Sequence, residues 1–335
     1  MNKFSIDLLN SDRMLLLDAV KENNINSKYY VDKPIFFHGI LSCNQKMHKL
    51  FETISKAAKT DASIYISGET GVGKELVAKA IHLESSRADK PFIGVNVANF
   101  SNDLLETQLF GHKKGAFTGA HNNSKGLLKV AEHGTLFLDE IACMSSNTQA
   151  KLLRVLQERQ YYPVGDVQLQ TFSATVISAS NLRLEDAIKQ HHFREDLRYR
   201  LEVIPIIVPP LRERKNDIIL LYEYFLYKAS NKRNWKLQTH LKDKLLNYSW
   251  PGNIRELENC AKFSAAMSNG SELRLSDLPS SIQTATGDDA TKKKLLEQEI
   301  ITQALINNCN NKTKTAIQLG ISRMTLWRKM KNYNL

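Results

Sequence analysis

The segment GETGVGKE (68–75) limits the possible folds of this chain more than any other stretch. Gly68, Gly73 and Lys74 stand in the G-x-x-x-x-G-K arrangement, directly after the strand-like run SIYIS (63–67) and before the helical run ELVAKAIHLES. In that setting the glycines let the backbone turn so that successive N–H groups point inward at an anion. The following helix adds its positive end, and Lys74 reaches the outer phosphates. Gly68, Glu69, Thr70, Gly71, Val72, Gly73, Lys74 and Glu75 are therefore expected to cradle a nucleoside triphosphate. A chance glycine turn with these three letters recurs about 0.1 times in a chain this long, and the strand and helix flanks lower that further. Glu75 stands where the strict pattern has Ser or Thr, so the usual magnesium hydroxyl is missing and metal holding falls to other groups.

Apolar strand-like runs alternate with helical patterns from about Ile40 to Arg214: SIYIS, PFIGVNV (91–97), GTLFLD (134–139) and ATVISAS (174–180). That alternation predicts an α/β domain over 38–214 with a mainly parallel sheet. GTLFLDE runs a buried-type strand into Asp139 and Glu140. An Asp-Glu pair after a strand is more often a helix cap than a catalytic pair, but the upstream phosphate loop reverses those odds. Asp139 is then the expected magnesium ligand, and Glu140 the group that orients and deprotonates the attacking water. Asn96 and Asn181 end neighbouring strands, so both amides are expected at the same sheet edge, facing the γ-phosphate or its water. From Asn216 to Met267 the apolar spacing is helical with no strand candidate, predicting a small all-helical lid over 215–278. Residues 279–290 lack an apolar period and read as a linker, and 1–37 form a short leading segment with one candidate helix, Leu8 to Val20.

FGHKKGAFTGAHNNSKG (110–126) holds four glycines in seventeen residues and has neither helical nor strand period. Phe117 at its middle either folds back onto the core or presents a surface to a partner. GAFTGA, uninterrupted as Gly115, Ala116, Phe117, Thr118, Gly119 and Ala120, resembles the signature of bacterial enhancer-binding proteins, the AAA+ activators of sigma-54 RNA polymerase. GETGVGKE, LFGHKKGAFTGA, GTLFLDEI, LLRVLQER, FREDLRYRL, PPLRER and WPGNIRELEN are similar to family motifs in the same order. The likeness covers about 38–270 and again 290–335.

This resemblance implies an AAA+ P-loop ATPase using ATP and Mg2+, whose 115–120 loop engages sigma-54 through Phe117 and Thr118 and shifts with nucleotide state. It implies that Glu75 is usual for the family, that Asn96 is the switch partner of Glu140, and that Arg255 in GNIREL senses nucleotide from the lid. It also implies that Arg194 and Arg200 act on the γ-phosphate of a neighbouring subunit, work that suits a planar, permanently charged guanidinium. Activity would then require a homo-oligomer, dimer to hexamer. The sequence departs from the family at Gln108 and Lys113, each where Glu is frequent, and at SASN, where ATN is usual although Asn181 remains.

The charge is unevenly placed. Of a net +11, residues 291–335 carry +7, from nine basic and two acidic side chains. NKTKTAIQLGISRMTLWRKMKNYNL divides into a helix at 313–319, a turn at Gly320-Ile321-Ser322 and a helix at 323–331, with Ala316, Leu319, Ile321 and Leu326 inward and Ser322 as cap. Alone the pattern is more often an ordinary helical hairpin than a helix-turn-helix. The basic charge, and likeness to the Fis-type module that ends many of these activators, select the second. Ser322, Arg323, Thr325, Arg328 and Lys329 are then expected at DNA, and the apolar face of LLEQEIITQALINN at a two-fold dimer.

The expected protein is thus a sigma-54-dependent activator that binds enhancer DNA and remodels the closed sigma-54 RNA polymerase holoenzyme complex into an open one by ATP hydrolysis. A receiver domain needs on the order of 100 residues, so control is expected from a regulatory protein in trans or from expression level. The absence of an 18-residue apolar stretch, and four scattered cysteines (Cys43, Cys143, Cys260, Cys309), point to a cytoplasmic protein without a membrane segment. The rivals are a repressor using the phosphate loop only for assembly, which would tolerate loss of the Asp139, Glu140, Arg194 and Arg200 that are present, and a remodelling ATPase of replication or proteolysis, which would not need GAFTGA.

Overall fold

The computed structural model describes residues 33–181, 183–230, 235–268, 270, 272–285, 298, 300–305, 308 and 312–333. The expected Leu8–Val20 helix lies outside them. The centre of the fold is a parallel sheet of β1 (Ile64–Ser67), β2 (Phe92–Asn96), β3 (Thr135–Asp139), β4 (Thr175–Ser180) and β5 (Ile204–Ile207), in the spatial order β5-β1-β4-β3-β2. β5 has no counterpart among the expected strands because it contains Pro205, which cannot donate to a ladder. It is tolerated at the sheet edge, where β5 pairs only with β1.

Side chains alternate across the sheet, and each face is covered. Phe137 and Ile177 face α1 (Gln45–Ala57) and α2 (Lys74–Glu84), packing with Met47, Ile54, Val77 and Ile81. Leu136, Leu138 and Val176 face the opposite layer, built from α3 (Asn102–Phe110), α4 (Ser146–Glu158) and α5 (Glu195–Leu201), through Leu105, Leu109, Leu152 and Leu197. Burial on both faces is why these strands read as continuous apolar runs.

A boundary at 37/38 would cut a hairpin, since Ile35–Phe37 pairs antiparallel with Ile40–Ser42. Leu41 and Cys43, just beyond its turn, are buried in the core of the lid. The lid itself comprises α6 (Asn216–Ala229), α7 (Thr239–Asn247) and α8 (Asn253–Met267) around Leu226, Leu241, Trp250 and Leu257. It is not all-helical: Lys236–Leu237 pairs in parallel with Glu272–Leu273, a ladder too short to leave an alternation in the sequence. Nor is 279–290 a bare linker. Ser280–Thr284 forms a helical turn, and Ile282 is buried in the lid core. A single apolar residue carries that anchorage, so no period betrays it.

At the carboxyl end α9 (Lys312–Gln318) and α10 (Arg323–Tyr333) form the two expected helices, and Ser322 Oγ accepts the Thr325 N–H at 3.0 Å. Ala316, Leu326 and Met330 pack together with Ile301 and Leu305 from the preceding segment. Of the upstream stripe expected at a two-fold dimer, Ile301 and Leu305 pack within the chain and Ile300 is exposed, while Leu295, Leu296 and Ile306 lie outside the described residues. Among the described residues no helix is long and apolar enough to cross a membrane. Replacing Ile282 with Ala should lower the stability of the lid by about 2–5 kcal/mol, read as an earlier denaturant midpoint of Trp250 fluorescence. An unchanged midpoint would return 279–285 to the status of a linker.

Candidate active site

The carboxyl ends of β1 to β4 open on one sheet edge, where register sets Asn96 beside Asp139 and Ser180 beside Ser67. The residue following each strand therefore arrives at a common place, the usual binding edge of a parallel sheet. β1 leads into the phosphate loop, which closes onto α2 at Lys74. That side chain is only 7% exposed. Its Nζ donates to the Gly68 carbonyl at 3.0 Å and to the Glu69 carbonyl at 3.5 Å, and lies 3.6 Å from Glu140 Oε1. A buried ammonium requires such compensation; here it comes from the loop's own carbonyls and one carboxylate.

Glu140 occupies the left-handed region, with φ +53°, a conformation that costs a residue with a Cβ about 1–2 kcal/mol. Its carboxylate meets Lys74 and, through Oε2, accepts the Asn181 N–H at 3.4 Å. Asn181 Nδ2 in turn donates to Thr70 Oγ1 at 3.3 Å. Asp139 Oδ1 accepts the Glu140 N–H at 3.0 Å. Burial, then the neighbouring Glu140 charge, push the Asp139 carboxyl above its ordinary range, with Lys74 pulling the other way. A divalent cation would relieve this crowding of negative charge. Magnesium bound to a nucleotide takes only one or two carboxylates, with phosphates supplying the rest. A single half-buried carboxylate such as Asp139 fits that requirement.

Not every expected residue meets the others. The Asn96 carboxamide oxygen accepts the Ala98 N–H at 3.0 Å, capping its own 97–99 turn, while Glu140 faces Lys74 and Asn181. The implied Asn96–Glu140 pairing is therefore absent from this arrangement, because the strand end needs a cap for its exposed N–H groups. Glu75 points away along α2 to Lys79 Nζ at 2.7 Å. Arg194 holds Asp196 with two bonds, of 3.0 and 2.7 Å, and Arg200 is exposed on the last turn of α5. Among the described residues neither arginine bonds the phosphate loop of its own chain. Arg255 lies on the first turn of α8, beside Gly71. No side chain fits at Gly71, since a Cβ there would come within 2.3 Å of the Gly252 carbonyl oxygen. Arg212 and Asn253 also bond Glu69. No local pattern could reveal them, because their partner lies 143 and 184 residues away.

The 110–126 loop has a base that the sequence period did not disclose: Gly111–His112 pairs antiparallel with Ser124–Lys125. Above it the Gly115 N–H donates to Ala120 O at 2.9 Å, the Ala120 N–H donates to Phe117 O at 3.0 Å, and Phe117 stands 43% exposed with its ring edge-on to His112. A second hairpin, Gln160–Tyr161 with Gln170–Thr171, braces this loop. Lys113 Nζ meets Asp166 at 2.9 Å, and the Lys113 N–H donates to Val164 O at 3.1 Å. Gly165 sits so close that a Cβ would fall 2.6 Å from Ala116 Cβ. Lys113 thus has a partner of its own in Asp166, and Gln108 is exposed on α3. On α10, Arg323 and Arg328 are exposed and Lys329 half-buried, while the Thr325 hydroxyl is bonded to Ser322 Oγ at 2.8 Å, so both hydroxyls serve the cap.

Residues 40–207 match the sigma-54 interaction domain, 212–295 the AAA+ ATPase lid domain, and 294–333 the Fis family of bacterial regulatory proteins. The regulatory protein AtoC of Escherichia coli K12 is 39% identical over 99% of this chain and 76% of its own length. The transcriptional regulatory protein ZraR of Klebsiella oxytoca is 38% identical over 95% of this chain and 74% of its own. The nitrogen fixation protein AnfA of Azotobacter vinelandii is 40% identical over 88% of this chain, which spans 57% of that relative. Among solved structures, NtrX from Brucella abortus in complex with ATP superposes with a TM-score of 0.67 at 32% identity, covering 87% of this chain and 68% of that one. Its complex with ADP gives 0.66 at 33% identity, covering 86% and 68%.

Two substitutions separate nucleotide binding from turnover. Lys74→Ala should remove detectable ATP binding. Glu140→Gln should leave binding in place and lower turnover by at least about 100-fold, the scale of a lost general base; turnover near the parent value would remove Glu140 from the chemistry.

Proposed function

The chain belongs to the sigma-54-dependent transcriptional activators, AAA+ ATPases that carry a Fis-type DNA-binding domain, and on that premise we propose that it binds enhancer DNA and uses ATP hydrolysis to convert a closed sigma-54 RNA polymerase promoter complex into an open one. The observation that carries this reading is the exposed Phe117, held on two cross-braced hairpins that grow from the same α/β body as the Lys74–Glu140 site.

In the proposed reaction Glu140 takes a proton from water as its oxygen attacks the γ-phosphorus, the bond to the bridging oxygen breaks, and ADP and phosphate leave. Lys74 binds the outer phosphates, and the N–H groups of residues 68–75 orient them. Asp139 would hold Mg2+, which neutralises charge on the phosphoryl oxygens when bound. Asn181, bonded to Thr70 and Glu140, keeps the carboxylate over the site. Arg194, exposed at the N-cap of α5, and Arg200, exposed on its last turn, both apart from their own phosphate loop, are suited to a neighbour's γ-phosphate in a ring, and Arg255 to the nucleotide from the lid. Asn96 lies where β2 passes through the 97–99 turn toward α3, the helix that ends at the loop base. A change of partner at Asn96 would therefore travel along α3 to Gly115–Ala120 and press Phe117 and Thr118 on sigma-54. Arg323 and Arg328 would read base edges in the major groove, with Lys329 nearer phosphate and Ser322 and Thr325 holding the helix start. All these partners belong to the cytoplasm.

Phe117→Ala should abolish promoter melting by the purified full-length chain with ATP on a sigma-54 promoter, read by permanganate footprinting, while ATP turnover persists. Intact melting would overturn the loop assignment. Replacing Arg323 and Arg328 together with Ala should cost about 1–3 kcal/mol per lost base contact and erase sequence-selective footprints without reducing ATPase activity; retained footprints would place the DNA contact elsewhere.

A further inference from the structure

We propose that Asn253 is a positioning residue that couples the helical lid to the water-activating carboxylate through the phosphate loop. The proposal rests on the reading of Lys74 and Glu140 as the hydrolytic site. Asn253 is the first residue of α8, fully buried, and held at φ +52°. Its Nδ2 donates to Glu69 Oε2 and to the Thr70 carbonyl, both at 3.1 Å, and its Oδ1 accepts the Leu211 N–H at 2.8 Å. One side chain thus ties three separate segments: the phosphate loop, the connection between body and lid, and the lid's third helix. Beside it the Ile254 N–H donates to Gly71 O at 3.0 Å, and Arg212 closes over both Glu69 oxygens at 2.7 and 2.5 Å. Arg212 first, and Asn253 after it, hold the Glu69 carboxyl below its ordinary range against the effect of burial.

The chain of contacts continues to the reacting carboxylate. Thr70, whose carbonyl Asn253 holds, receives Asn181 Nδ2 on its hydroxyl at 3.3 Å, and the Asn181 N–H reaches Glu140 Oε2 at 3.4 Å. The bonds at Asn253 are near the preferred length, and the two nearer Glu140 are longer, at 3.3 and 3.4 Å. A lid that swings must either break the three hydrogen bonds at Asn253, one buried and two part-buried, or draw Thr70 with it, and Asn181 and Glu140 follow. Residue type supports this role. Asparagine tolerates the left-handed region and supplies two donors and an acceptor. Aspartate would lose both donors and set a second carboxylate against Glu69. Glycine would keep the backbone conformation and delete the contacts.

The test compares Asn253→Gly, Asn253→Asp, Glu69→Gln and the double variant Asn253→Asp/Glu69→Gln, in which amide and carboxylate exchange places. Each full-length chain is assayed for ATPase kcat and KM, affinity for a fluorescent ADP analogue, and denaturant midpoint. The expectation is a fall in kcat of about tenfold or more for Asn253→Gly and Asn253→Asp, the scale of coupled hydrogen-bonded pairs, with ADP affinity within about threefold of the parent. The double variant should recover about threefold or more of the kcat lost in Asn253→Asp. Parental kcat in Asn253→Gly would overturn the proposal. So would kcat, affinity and midpoint falling together with strictly additive effects in the double variant, since that marks a purely structural residue. If the Asn253→Gly chain fails to fold, the exchange of partners between Asn253→Asp and the double variant still decides. A parent protein whose turnover survives Glu140→Gln would instead refute the hydrolytic site on which the coupling depends.

Discussion

A buried ammonium organises this molecule. Lys74 lies at the start of α2, almost out of contact with water, and its charge is met by two carbonyls of its own loop and by Glu140. Removing such a charge from water is tolerable only where partners converge. Convergence of this kind requires strand ends at one edge, and a five-stranded parallel sheet with helices on both faces supplies them. The left-handed turn at Glu140 and the compact loop at 68–74 are local consequences: each brings a polar group back over the sheet edge instead of letting the chain run outward into solvent.

The same logic explains why the distant parts of the chain are not independent. The lid has its own core, yet Leu41 and Cys43 from the leading hairpin are buried in it, and Asp217 bonds Ser42 Oγ at 2.7 Å and the Cys43 N–H at 2.8 Å. Burial raises the Asp217 carboxyl, and the Ser42, Cys43 and Arg214 contacts lower it. Arg214, itself buried, donates to Val72 O of the phosphate loop at 3.1 Å. Polar groups inside a low-dielectric interior must be bonded, so each such link fixes one segment against another. The phosphate loop is therefore held from the lid side by Arg214, Arg212 and Asn253, and from the sheet side by Asn181 and Glu140. It forms a junction between the two bodies as well as a binding loop.

The 110–126 loop shows a different solution. Phe117 has no core to enter, and the ring rests on His112 while nearly half its surface faces solvent. Two short hairpins lean on each other through Lys113 and Asp166, and through the close approach of Gly165 to Ala116. A glycine-rich loop so braced can present an aromatic side chain without collapsing around it. The positive charge at Lys113 is thereby matched within the chain.

Much of this was legible in the residues. The phosphate loop, the strands β1 to β4 and the two C-terminal helices each have a local signature, because turn geometry, two-sided strand burial and helix capping act over a few neighbouring positions, whereas the Asp139–Glu140 pair, the GAFTGA loop and the helix-turn-helix are read through the upstream phosphate loop, the basic charge and the family resemblance. Tertiary structure decided the rest. It accepted Pro205 into an edge strand, paired Ile35–Phe37 with Ile40–Ser42, drew Ile282 into the lid, turned Asn96 to its own cap, and joined Asn253 to Glu69 across 184 residues. Those outcomes depend on which unpaired N–H, carboxylate or apolar surface happens to lie opposite in space. Such complementarity leaves no periodicity along the chain; it arises only when the packed sheet and lid bring distant residues within bonding distance.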